Sequence, residues 1–444
     1  MTIRGTAFLF AIAVLPAAVT LGQSRQIPAP AQSRPVIIMS ATVHTVTGPT
    51  FDDGYVVFDG GVILEVGQGR PPDVRNADVI NANGLHLYPG LVSTDTTLGL
   101  VETGAVNVTR DYTEFGDITP EVRAAVAVNP DSELIPVARA NGILTAVVFP
   151  RGGLVAGRGS VIRLDGWTWE QMTIVPDAGL VMSWPRTEPD VRESRWRATK
   201  PKPAKEQREA IGKNLRRLDT LFDDATDYIK AVGADPAQAT DLRYEALRNV
   251  LAGRTPIFVR ASTQGQIESA VTWAARRNLD IVIVGGREAG KAAALLREHD
   301  VPVIIGGLHS LPGHRDDPYD EPFTLPARLY EAGVRFTIAS GSGAAHERNL
   351  NHNAATAVAF GLARDQALRA ITADAAAILG IGDTHGAIEV GKAATLIVTT
   401  GDPLQITTDV LIAWIDGRQI DLGNRHKALF EKYREKYRQL GLLD

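Results

Sequence analysis

Residues 280–307 read DIVIVGGREAGKAAALLREHDVPVIIGG. Two continuous apolar runs, DIVIVGG (280–286) and VPVIIGG (301–307), flank EAGKAAALLREH (288–299), whose apolar residues recur at helical spacing. A strand that is apolar at every position fits a sheet covered on both faces, and a helical crossover between two such strands makes them parallel. The same signal returns in ILTAVVF (143–149), PIFVRA (256–261) and VRFTIASG (334–341), and IESAVTWAARRN (267–278) supplies another helix. Repeated strand–helix units predict a parallel α/β sheet, and their number over this length predicts a (β/α)8 TIM-type barrel.

Outside this middle the pattern changes. VIIMSATVHTV (36–46), YVVFDGGVILEVG (55–67) and DVINANGLHLY (78–88) are short β-branched segments broken by Gly and Asn, and ATLIVTTG (394–401) and VLIAWIDGRQI (410–420) resemble them. They predict antiparallel strands. One small β-sandwich domain, built from residues 35–87 and 387–422, then brackets a barrel over 88–386. The charged, proline-bearing stretch 185–205 reads as a loop, and Ile211, Leu215, Leu218, Phe222, Ala225 and Ile229 predict a helix over 204–232, so an insertion is expected at 185–232. Residues 423–444 predict a terminal helix with Leu429, Phe430, Tyr433, Tyr437 and Leu440 on one face, docked on the body or contacting a second copy.

The chain has 444 residues, 44% of them hydrophobic and 22% charged, with a net charge of −5. That composition belongs to a globular chain with a sizeable core and gives no basic face for nucleic acid. With 0 cysteines, disulfides, thiolate metal sites and a cysteine nucleophile are excluded. Arg4 precedes an apolar run from Ala7 to Leu21, with small residues at Thr20 and Gly22. Residues 1–22 therefore read as a secretory signal peptide, followed by a disordered lead-in at 23–34 rich in Pro, Gln and Ser. The expectation is an exported protein, periplasmic or secreted, with no membrane partner after cleavage.

YPGLVSTDTTLGL (88–100), ITADAAAILGI (371–381) and GAIEVGKAATLIVTTGDP (386–403) resemble segments of the amidohydrolase superfamily, and ANGILTAVVFPRGG and RNLNHNAATAVAFGL resemble its imidazolonepropionase-like branch. The resemblance implies metal-assisted hydrolysis, usually of a non-peptide C–N bond. One or two divalent ions, commonly zinc, would be held by a His-x-His on the first barrel strand, by a His after each of two middle strands and by an Asp after the last, sometimes with a carboxylated Lys. Here the first motif aligns with Asp95-Thr96-Thr97, the middle His positions with Arg260 and with Gly285-Gly286, and the final Asp with Gly341. Arginine has no lone pair to donate and glycine has no side chain. The family metal site is therefore expected to be missing, and no cofactor is expected.

Two loops hold other chemistry. HSLPGHRDDPYDEP carries His309, His314, Asp316, Asp317, Asp320 and Glu321, and the loop after the last strand carries His346, Glu347 and His352. They read either as a solvated charged surface or as a relocated metal or acid/base site at the barrel mouth. PRGGLVAGRGS (150–160) reads as a tight loop whose Arg151 and Arg158 suit an anion, and Trp167 and Trp169 share a face if extended. Three functions follow. The chain is a binding protein or inactive homologue that takes a small molecule or peptide at the barrel mouth, through Asp95, Arg260, His309, His314, Asp320 or His346. It is a hydrolase with a relocated site using Asp95 and the His309/His314 loop. Or it is a structural subunit, in a homo- or hetero-oligomer, beside an intact amidohydrolase.

Overall fold

A computed structural model describes residues 24, 26–191, 200–235, 237–341 and 343–443. The segment read as a signal peptide lies outside them. Residues 26–34, read as a disordered lead-in, form no helix or strand but are tied to the body. The Ala29 amide donates to Asp165 at 3.1 Å, the Gly61 amide to Gln32 at 2.9 Å, and Gln26 bonds Arg139 and the Gly423 carbonyl.

Five strands come first: β1 (Val36–His44), β2 (Thr50–Asp59), β3 (Val62–Gln68), β4 (Asp78–Asn81) and β5 (His86–Pro89). The barrel sheet follows with β6 (Leu91–Thr96), β7 (Ile143–Val148), β8 (Val155–Arg163), β9 (Thr173–Ser183), β10 (Ile257–Ala261), β11 (Ile281–Gly285), β12 (Val303–Ile305) and β13 (Phe336–Ile338). The chain then returns to the first sheet with β14 (Leu396–Thr399), β15 (Val410–Ile415) and β16 (Arg418–Gln419).

The two ends share one eight-stranded sheet in the order β16-β15-β14-β5-β1-β2-β3, with β4 also on β1. They are joined by β5 against β14, Leu396 opposite Pro89. β1 bends at Ser40, whose φ is +60°, so its first half pairs β4 and its second half pairs β5. The bend folds the sheet over its own core, where Phe58 meets the edge of Trp414 at 5.8 Å.

The middle forms a second eight-stranded sheet, β6 through β13 in chain order. It is nearly closed. The residues Ala370 and Ile371 bridge its edges, taking the Ile338 and Val92 amides at 3.3 and 2.8 Å. The Thr94 and Thr337 hydroxyls meet across the gap at 3.4 Å. Val92, Val147, Phe149, Phe258, Val284 and Ile304 form a separate buried cluster. They come from alternating strand positions, as an inward face requires.

One strand departs from the all-parallel expectation. β8 runs antiparallel to both β7 and β9, so the stretch 150–154 is a hairpin turn instead of a strand-to-helix loop. The glycines read as loop signals serve packing here. The Phe149 ring lies where a Cβ on Gly159 would stand, only 2.5 Å away. Trp167 and Trp169 do not share an extended face. Trp169 opens the short helix Trp169–Met172 and packs on the core, while Trp167 is exposed.

Helices cover the outer face. The predicted 204–232 helix spans Ala204–Ala234 and buries Leu218, Leu221, Phe222 and Ala225. Phe222 packs edge-on to Trp273 at 5.0 Å. Trp273 lies on helix Gln264–Arg277, which opens with a Thr263/Gln266 capping box and ends at Asn278 in the left-handed conformation. The terminal helix Arg425–Gln439 forms as expected but buries none of its residues, contrary to docking on the body.

Candidate functional site

Asp95 sits near the end of β6, beside a break in register. Ser93 pairs Ala146 and Thr96 pairs Val148, so β6 carries one extra residue between those pairs. Such a bulge re-aims the side chains that follow it, and it turns Asp95 toward Arg260 of β10. The guanidinium of Arg260 grips the carboxylate as a fork. Nη2 donates to Oδ1 at 2.7 Å and Nη1 to Oδ2 at 3.2 Å. A second guanidinium, from Arg151 in the turn after β7, donates to the same Oδ1 at 3.0 Å. The Asp95 side chain is 10% exposed, that of Arg260 20% and that of Arg151 33%, so the cluster opens to solvent on the arginine side. Arg260 also stacks over Phe149, its Cζ 5.7 Å from the ring centroid.

Burial pushes the Asp95 carboxyl up, but Arg260 and then Arg151 outweigh it and hold the group below its ordinary value. One carboxylate between two permanent cations leaves the cluster with a net positive charge.

Glu347 lies behind it. It comes from the turn Ala344–Asn349 after β13 and is 1% exposed. The Ser93 hydroxyl donates to its Oε1 at 2.7 Å. Burial raises its pKa to about 7, against the pull of the Ser93, Thr96 and Ser340 hydroxyls and with a further push from Asp95. Glu347 is thus a buried carboxyl that titrates near neutrality, the kind of group that functional sites use.

This has a consequence for stability. The unfolded-state value is near 4.5 and the folded value about 7, so the folded chain binds the extra proton between them. Stability therefore falls as pH rises through that window. Glu347→Gln removes this dependence and should gain roughly 3 kcal/mol on wild type between pH 5 and pH 8. Chemical denaturation of both proteins at the two pH values measures it. Parallel pH profiles would refute the assignment.

The other residues singled out in the sequence do not join the cluster. Thr97 is buried, and its carbonyl takes the Leu100 amide at 2.9 Å. Gly285 ends β11 with φ +103°. His309 bonds the Thr356 hydroxyl at 2.8 Å, and His314 bonds Glu288 at 2.6 Å. Asp320 stands at the start of helix Glu321–Glu331, and the His346 amide closes a turn on the Gly343 carbonyl at 2.9 Å. Arg158 is committed to Asp177 and to the Glu121 carbonyl. The acidic loop and the β13 loop meet where His309 approaches His352, which lies on helix Leu350–Ala359 and whose pKa is lowered by burial and then by His309. Among the described residues, no group of three or more His, Asp or Glu side chains is arranged to hold a metal ion.

The donor set at Asp95 does not fit a divalent cation. Both of its oxygens accept from guanidinium groups. A cation there would meet two fixed positive charges, at about 4 kcal/mol per pair of unit charges ~4 Å apart and twice that for a divalent ion. Next to the cluster, a pocket of about 530 Å³ lies against the Arg151 turn, lined by Tyr112, Glu114, Arg123 and Pro150 among others. The Tyr112 carbonyl takes the Arg151 amide at 2.6 Å.

Sequence reading found Asp95 and Arg260, and named Arg151 only as an anion contact. It did not connect Glu347 to them. The available signal was an acidic residue shortly after the last barrel strand, but burial, which sets its pKa, is not a property of that loop's letters.

Comparison with known proteins agrees with this architecture. The model described as "Amidohydrolase family" matches residues 323–421. "Amidohydrolase tasK" of Hapsidospora irregularis is 24% identical over 435 residues, covering 86% of this chain, which spans 43% of that protein's length. The crystal structure of an amidohydrolase from Thermotoga maritima MSB8 superposes with a TM-score of 0.76 at 25% identity, over 87% of this chain and 99% of that one. A Xaa-Pro dipeptidase with bound methionine in its active site shares the fold, with a TM-score of 0.54 at 15% identity over 87% of this chain and 100% of that one. The nearly closed barrel sheet, the separate sheet made by both ends and the family match over the return between them agree: the chain resembles the amidohydrolase family in sequence over residues 323–421 and in fold over most of its length.

Proposed function

We propose that this chain is a non-hydrolytic member of the superfamily that binds a carboxylate-bearing small molecule or peptide at the mouth of the barrel, without a metal or other cofactor. The observation that carries the reading is the Arg260–Asp95–Arg151 cluster. Two guanidinium groups face the one Asp95 carboxylate, and Glu347 behind them is protonated below about pH 7, so positive charge is in excess there. Arginine forks match carboxylates in geometry and charge. Arg151 is the more exposed of the two, and so the arginine that an incoming ligand reaches first. In this reading the two sheets are the superfamily's (β/α)8-type barrel and accessory β-sandwich, and the chain is exported after loss of residues 1–22.

Elemental analysis of protein purified without chelators is the direct test. The expected content is less than ~0.2 equivalents of zinc or manganese per chain, because both Asp95 oxygens already accept from guanidinium groups. Near one equivalent, lost on substituting Asp95, would overturn the reading. Thermal shift with succinate and N-acetyl amino acids, on wild type and Arg151→Ala, then tests the carboxylate preference.

Glu347 favours a second reading, metal-free acid–base chemistry beside Asp95, since its pKa is suited to moving protons at neutral pH. Turnover of amide substrates that Glu347→Gln abolishes, in metal-free protein, distinguishes it. Co-purification of an intact amidohydrolase would favour the structural-subunit reading.

A further inference from the structure

The terminal helix Arg425–Gln439 stands apart from the barrel chemistry. Its start is well made. The Asn424 side chain accepts the His426 and Lys427 amides at 2.9 and 3.1 Å. Yet Leu429 is 49% exposed, Phe430 63%, Tyr433 51%, Tyr437 43% and Leu440 59%, and these residues form one stripe along the helix.

The charges are arranged around that stripe. Lys432 and Lys436, four apart, border one side together with Arg425. Lys427, Arg434 and Arg438 border the other. The helix's acidic residues, Glu431 and Glu435, lie beyond that second border, where Glu431 pairs Arg434 and Glu435 approaches Arg438 at 3.9 Å. With six basic and two acidic side chains the helix carries a net of +4, in a chain whose net charge is −5. Lys436 lies within 5.8 Å of the centres of both the Tyr433 and Tyr437 rings, and Arg434 within 5.7 Å of that of Phe430, so the cations lean over the aromatic edge of the stripe.

This pattern argues about what covers the stripe. A second copy of the helix, laid face to face, would bring basic borders against basic borders, and the glutamates, held to Arg434 and Arg438 of their own helix, lie outside that contact. Like charges so placed oppose pairing. A surface that is apolar below and anionic above suits every part of the helix. Leu and Phe enter the acyl boundary, the tyrosines sit at headgroup level, and the lysines and arginines reach the phosphates.

We propose that the helix Arg425–Gln439 is an interfacial anchor that lays the folded protein on an anionic lipid bilayer. No helix of the described residues is long and apolar enough to cross a membrane. The expectation of no membrane partner looked only for such a span, and a helix lying in the interface needs none.

The test is flotation of the full chain with vesicles of phosphatidylcholine alone and of phosphatidylcholine with 30% phosphatidylglycerol, at 50 mM and 500 mM salt. Binding is expected on the anionic vesicles at low salt and is released at high salt. Each basic side chain near such a surface contributes about five-fold to binding. Lys432→Glu, Arg434→Glu, Lys436→Glu and Arg438→Glu together should therefore weaken it by on the order of 100-fold or more. Phe430→Ser with Tyr437→Ser, which keeps every charge, should also release the protein. These positions are exposed, and unchanged circular dichroism confirms that both variants fold. Because all variants keep residues 1–22, any binding due to that segment is common to them. Equal binding by wild type and the charge-reversed variant overturns the proposal, as does equal binding to neutral vesicles. A solution dimer abolished by Phe430→Ser assigns the stripe to a second copy, and retention on polyglutamate without vesicle binding assigns it to an acidic protein. Either result also overturns the proposal.

Discussion

Gly341→Asp is expected to abolish soluble expression or to cost several kcal/mol of stability, although it writes back the acid that the superfamily places after its last barrel strand. Gly341 has φ +67°, a conformation that strains any residue with a side chain by on the order of 1–2 kcal/mol. The larger obstacle is steric. A Cβ here would stand 2.0 Å from the Gly307 amide nitrogen and 2.4 Å from its Cα. Both are backbone atoms of the loop after β12 and cannot swing aside as a side chain would. Forcing extra atoms into a packed region costs about 1–3 kcal/mol even where neighbours can move, so a total of roughly 5 kcal/mol is expected, in the range reserved for severe lesions. Thermal denaturation of whatever soluble variant is recovered, against wild type, measures this. Gly341→Ala carries the same steric burden without the charge and should fail to a similar degree. A well-folded Gly341→Asp protein that gains stoichiometric zinc would show that the two loops separate easily, and that the missing metal centre is one substitution away. As the structure stands, the close approach of Gly307 and Gly341 leaves no room for a side chain at position 341.

Arg260→Ala has the second-largest expected effect, about 3–5 kcal/mol of destabilisation, because removing one partner of a buried ion pair leaves the other charge poorly compensated. Arg151 remains on Asp95 Oδ1 and limits the loss, so the lower half of that range is favoured. The loss has a pH signature. With Arg260 gone, the largest force holding the Asp95 pKa down disappears and burial, the dominant opposing influence, prevails. The Asp95 pKa rises, so the variant is least handicapped at acid pH, where the carboxylate is neutral, and most handicapped at neutral pH. Urea denaturation at pH 4 and pH 7 checks the sign. The double variant Asp95→Asn with Arg260→Met removes both charges and should recover most of the stability, as apolar replacements of buried pairs commonly do. If Arg260→Ala is as stable as wild type at pH 7, the pair is not buried in the sense used here. The proposed exclusion of a metal would then lose its support.

Both predictions concern places where the local sequence is plain and its consequence is not. VRFTIASG announces a buried strand followed by a turn, and the strand forms at Phe336–Ile338. Nothing in those letters reports that the turn presses against Gly307, more than thirty residues earlier. PIFVRA likewise places Arg260 at the end of an inward-facing strand, and it is there. Its salt bridge to Asp95 depends on the extra residue in β6, which STDT does not reveal. The antiparallel β8 was hidden for a related reason. PRGGLVAGRGS (150–160) is glycine-rich and reads as a loop, whereas its second half opens β8, where Gly157 and Gly159 allow close packing in a strand whose direction is set by pairing to β7 and β9.

Periodicity and composition by themselves determined the strands and helices of the middle, the second set of strands at both ends and the helix over residues 204–232. These are local properties, since each strand or helix writes its own burial pattern into its side chains. Tertiary structure alone decided which charges meet. It set the fork of Arg260 and Arg151 on Asp95, the sequestration that lifts the Glu347 carboxyl to about 7, and the exposure of the terminal helix's apolar stripe. Those outcomes depend on distances and burial between residues far apart in the chain, and both quantities exist only once the backbone has closed around them.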